Sequence, residues 1–192
     1  MTPFQPPRPL TAEAARDLHQ MLRAEIAPGM SGRELDDVEE RYGFRFAADH
    51  RVFLGAGLPL GDRWPNWRDG DPADLRDRLG RPVEGTLFDV EYNGFWYPRW
   101  GPRPERTADA LAVARARLAD VPQLVPVYGH RYLPGTAGQF GHPVLSVHQT
   151  DIIYYGADLT DYIRHEFLGR RAELDSAHST VDFWTYLLEG ED

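Results

Sequence analysis

The window "YGHRYLPGTAGQFGHPVLSVHQTD", Tyr128 to Asp151, sets three histidines and an aspartate in one short stretch. Imidazoles and carboxylates hold catalytic zinc and act as general acids and bases, so the window raises the question of a metal-dependent hydrolase. Its spacing argues against a local site. His130, His142 and His148 lie 12 and 6 residues apart, whereas zinc enzymes set two ligands on one helical turn or on alternating strand positions. A metal would need the fold to gather the three with Asp151. Otherwise they are loop and strand-end histidines making ordinary hydrogen bonds. Asp89 and Glu91 form the best local carboxylate pair. On a strand, residues i and i+2 stand side by side, and close carboxylates can divide into an acid and a base. A solvated strand face is the plainer reading of the same two residues. Serine hydrolysis lacks its G-x-S-x-G turn, and Ser146 falls inside an apolar strand. "GAGLPLG" departs from dinucleotide spacing and follows a helix instead of a strand.

The tryptophans are a second source of chemistry. Trp64, Trp67, Trp96 and Trp100 fall in two proline-flanked stretches, "DRWPNWRDG" and "NGFWYPRWGPRP". Exposed in loops they would anchor a partner; buried, they would pin long loops onto a sheet. Arg99 and Arg103 are placed to stack on these rings or to pair with Asp69.

A chain of 192 residues is expected to form one domain, and 42% apolar with 12% aromatic residues is enough for a compact core. Cysteine is absent, which removes disulfides, thiolate ligands and cysteine nucleophiles. Lysine is absent too, so all 21 basic residues are arginine, and Schiff-base chemistry and the lysine of a phosphate loop are excluded. A GC-rich genome explains that bias without a functional demand. The formal net charge of −9 with no basic cluster argues against nucleic acid and anionic lipid, and for a basic partner. "MTPFQPPRPL" has no apolar h-region, and no apolar run reaches membrane-spanning length, so the expected compartment is the cytosol. No cofactor is expected.

The positioning elements follow from caps and periodicity. Thr11 can cap a helix through about Ala27, with Ala15, Leu18, Leu22 and Ile26 on one side. Ser31 with Glu34 makes a capping box for a helix that Gly43 closes. A short helix is expected from Ala48 to Gly55, and "GAGLPLGDRWPNWRDG" is a loop by its glycines and prolines. Asp71 and Pro72 start a helix that Gly80 is expected to end. "TLFDVEYN" alternates, Phe88, Val90 and Tyr92 against Asp89, Glu91 and Asn93, which predicts a half-buried strand. Thr107 begins a helix to about Asp120 with Leu111, Ala114 and Leu118 inward. "QLVPVYG", "HPVLSVHQ" and "DIIYYGA" read as strands, the last two a hairpin around Gln149 to Asp151. Asp158 caps "LTDYIRHEFL", and "VDFWTYLLEG" is a final helix. The class is α+β, a central, mainly antiparallel sheet flanked by helices.

"LDDVEERYGFRFAADHRVFLGAGLP", Leu35 to Pro59, resembles the N-terminal signature of the SUKH superfamily, the Smi/Knr-type proteins. It has an acidic helix containing V-E-x-R-x-G, then a helix of the D-x-R-x-F-L kind. "LVPVYGHRYLP" and "VLSVHQTDIIYYGADLTDYIRHEF" look like that family's strand pairs and following helix, so the resemblance spans about 35–167 of a single SUKH-like domain covering 1–192. It implies helices around a sheet and a protein-binding role with no catalytic residues to carry over. Many bacterial relatives act as immunity proteins against toxins, and fungal relatives are linked to cell-wall regulation.

The leading expectation is a non-enzymatic, acidic interaction module, an immunity protein for a basic toxin domain or a regulatory binding protein. Its contact surface is expected near Glu39, Asp69 and Glu91 with the tryptophan loops: Trp64, Trp67, Asp69, Glu91, Trp96, Trp100 and Arg103. The alternatives are a hydrolase built on the His130/His142/His148 group with Asp151 or on Asp89 with Glu91, and a small-ligand binder using the aromatic loops.

Overall fold

The computed structural model describes residues 9–170 and 182–189. Most of the proline-rich start, with Val181 and Gly190 at the ends of the last expected helix, lies outside them. Seven α-helices surround two antiparallel sheets among these residues. The larger sheet is a meander of β3 (Leu124–Tyr128), β4 (Arg131–Pro134), β5 (Val144–His148) and β6 (Asp151–Gly156). β4 has no signal of its own beyond the strand pairs that the family resemblance implies.

Alternation of side chains sends Val125, Val127, Leu133 and Val144 to one face and Leu124, Tyr132, Leu145, Val147 and Ile152 to the other. Each face therefore has its own apolar cluster. The first is closed by α1 (Ala12–Met21), α2 (Gly32–Tyr42), α3 (Ala48–Ala56) and α6 (Leu159–Leu168). The second is closed by α5 (Thr107–Leu118), α7 (Asp182–Glu189) and the later half of α4 (Pro72–Tyr92). The architecture is thus α+β, with helices on both faces of an antiparallel sheet.

Local signals hold where they are self-contained. The Ser31 hydroxyl accepts from the Glu34 amide while the Glu34 carboxylate accepts from the Ser31 amide, and Gly43 ends α2 at φ +74°. Asp158 accepts from the Asp161 amide at the start of α6. The expected hairpin is β5 and β6, joined through Gln149 and Thr150.

Several expectations are corrected. The first helix stops at Met21, and Glu25–Ala27 is instead a short strand, β1, paired with β2 (Leu58–Leu60) inside the expected loop. Ile26 belongs to that strand, so it does not continue the inner stripe. In α5 the inward small residue before Ala114 is Ala110, buried completely, whereas Leu111 is half-buried.

The largest correction concerns "DPADLRDRLGRPVEGTLFDVEYN". It is one helix of 21 residues, and the expected strand Thr86 to Asn93 is its last turns and cap. Pro82 has no N–H to give the carbonyl one turn back, at Arg78, which should break the helix. The Tyr132 hydroxyl donates to that carbonyl instead, at 3.0 Å. Gly85 is a contact point, not a stop: a Cβ there would lie 2.8 Å from the Gln149 Cα, so the helix backbone rests directly on the β5–β6 turn.

Candidate protein-interaction surface

With residues 86–92 helical, the carboxylate pair dissolves. Positions i and i+2 point to nearly opposite sides of a helix. Asp89 turns inward and is 4% exposed, and Glu91 faces solvent. Asp89 Oδ2 accepts from the Thr150 amide at 2.9 Å and from the Thr150 hydroxyl, while Oδ1 accepts from the Asn93 amide group. Burial works against the charged form, but these hydrogen bonds and the nearby His148 outweigh it and hold the carboxyl below its usual range. Asp89 is a clamp that ties α4 to the hairpin turn, where Gln149 has φ +56°.

The three histidines do not meet. His142 Nε2 lies 3.0 Å from Gln139 Oε1, beside buried Asp49, whose Oδ2 accepts from the Gly141 amide. His130 is exposed at the other end of β4; burial, then Arg131 and Arg63, push its pKa down. His148 is within electrostatic reach of His130. Among the described residues no three histidine, aspartate or glutamate side chains converge as metal ligands would.

The tryptophans divide. Trp64 and Trp67 are 6% and 2% exposed and belong to the first cluster, Trp64 over Phe167 and Trp67 against Phe44 and Phe46. Trp100, 7% exposed, stacks on Phe183 in the second. These three pin loops onto the core. Trp96 is half-buried, edge-on to Trp100, and donates its indole N–H to the Gly101 carbonyl. Arg103 donates to the Val90 carbonyl at 2.8 Å and so caps the end of α4. Asp69 is exposed beside Arg68. Glu39 is 5% exposed and accepts from Arg45, Arg51 and the Phe46 amide, which makes it a scaffold residue instead of a contact.

What remains at the surface is a pair that the strand reading hid. Phe88 and Tyr92, one helical turn apart on α4, are 44% and 64% exposed with ring centroids 4.7 Å apart. Glu84 lies one turn before Phe88, and Glu91 lies beside Tyr92, whose hydroxyl its carboxylate holds above the usual range. A 3.6-residue reading of Glu84, Phe88 and Tyr92 would have found this stripe. Among the described residues no helix is long and apolar enough to cross a membrane.

No protein-family model matches the chain, and no curated protein or solved structure does.

Proposed function

We propose that this chain is a non-enzymatic protein-interaction module, an immunity protein for a basic toxin domain of the kind the SUKH resemblance implies. The observation that carries the reading is the exposed Phe88–Tyr92 pair flanked by Glu84 and Glu91. Two touching aromatic rings in solvent waste apolar area unless a partner covers them, and aromatic anchors dominate binding energy. The net charge of −9 steers a cationic partner toward such a surface in a salt-dependent way. The expected size of the contact is about 800 Å² per partner.

The test uses the protein encoded beside this chain. Co-expressed wild type should hold it, and Phe88→Ala/Tyr92→Ala should weaken the purified pair by roughly 1,000-fold, since two hot-spot aromatics cost about 2 kcal/mol or more each and each ~1.4 kcal/mol is tenfold. Unchanged binding by the double variant would overturn the α4 contact, and failure of the wild type to hold that protein would overturn the module reading. A stoichiometric transition metal in untagged protein would replace it with the hydrolase.

A further inference from the structure

The side of α4 next to Phe88 also forms one wall of a groove of about 890 Å³. Phe44 from the first core cluster and Leu87, Leu118 and Trp184 from the second line it, so the groove follows the seam where the two clusters meet. Its lining is therefore apolar at depth. Its rim is not. Glu40, Glu84 and Asp120 stand exposed along it without an ion-pair partner among the described residues, against one equally unpaired cation, Arg115. Arg45, also at the rim, is already held by Glu39 at 3.0 Å.

The volume is that of a ligand-sized cleft. A purely apolar occupant would strip water from three carboxylates and return nothing, and an anion would be repelled. An arginine or lysine side chain meets both demands, because its methylene stem lies on apolar surface while its cationic head reaches the rim. Arginine would do so with paired hydrogen bonds to a carboxylate. We propose that the groove seats an arginine- or lysine-bearing, otherwise apolar segment of the protein partner. The inference rests on the interaction-module reading and names the part of the partner that is recognised.

The probe is acetyl-Phe-Arg-Leu-amide, with its citrulline counterpart as a neutral isostere, titrated into ¹⁵N-labelled full-length protein. Trp184 is the natural reporter, since its indole N–H donates to the Pro122 carbonyl within the groove. The arginine peptide should shift that signal and the Glu40, Phe44 and Leu118 amides with a roughly millimolar Kd. The citrulline peptide should bind at least about fivefold more weakly. Glu84→Gln/Asp120→Asn should erase the difference while leaving the rest of the spectrum in place. No groove shift with the arginine peptide, or equal shifts from both peptides, would overturn the proposal. If the peptide leaves the groove untouched while Phe88→Ala/Tyr92→Ala still loses the partner, the groove proposal alone falls. If the groove binds the peptide while that variant keeps its partner, the α4 contact reading alone falls.

Discussion

The Tyr132 hydroxyl sits 3.0 Å from the carbonyl of Arg78, filling on α4 the acceptor that Pro82 cannot satisfy. A sheet residue thus completes a helix. Tyr132 is 1% exposed and burial pushes its phenol up to about 12, so it stays a neutral donor. Tyr132→Phe should leave a buried carbonyl unpaired and cost about 1–3 kcal/mol in urea unfolding. Pro82→Ala supplies the missing N–H, so the cost of Tyr132→Phe should shrink markedly in that background. Equal costs in both backgrounds would mean the hydroxyl is not what repairs the helix.

Gly85 offers a prediction of opposite sign to helix propensity. In an open helix Gly→Ala stabilises by about 1 kcal/mol. Here the new Cβ would lie 2.8 Å from the Gln149 Cα, backbone that cannot step aside while Asp89 clamps Thr150. Gly85→Ala should lower the melting temperature, whereas Gly80→Ala, with open space around its Cβ, should not.

Acid should weaken the fold through two buried imidazoles. Burial holds His19 down to about 4 and His50 down to about 3, from an ordinary 6.5. Below 6.5 the unfolded chain binds protons that the folded chain refuses, so their contribution is complete above 6.5 and falls with pH toward 4 and then 3. For fully buried His50 the loss approaches about 1.4 kcal/mol per pH unit within that window. Asp49 opposes it: burial raises its carboxyl, so the folded chain takes up that proton first as pH falls. Urea midpoints from pH 7 to 4 should decline, and His19→Phe should flatten the part above pH 4.

Exposure separates aromatics that look alike in sequence. Phe88→Ala and Tyr92→Ala should change stability by less than about 0.5 kcal/mol, as surface substitutions do. Trp64→Ala and Trp67→Ala should each cost about 3–5 kcal/mol, because both rings are buried among other aromatics. Chemical denaturation of the four variants checks this ordering.

The sequence by itself determined what a few adjacent residues settle. The Ser31–Glu34 box, the Gly43 stop, the Asp158 cap and the β5–β6 hairpin are legible because each hydrogen bond closes within a turn or a neighbouring strand. Composition likewise removed thiol and lysine chemistry outright. Tertiary structure decided the rest. Residues 86–92 alternate as a strand would, and Gly80, Pro82 and Gly85 look like breaks, yet Tyr132, 54 positions from Arg78, makes the helix continuous. Helical rather than extended backbone over these residues turns Asp89 inward and Phe88 and Tyr92 outward, and it moves the candidate contact from the tryptophan loops to α4. Burial of a ring depends on what the folded chain lays over it, and no local spacing carries that information.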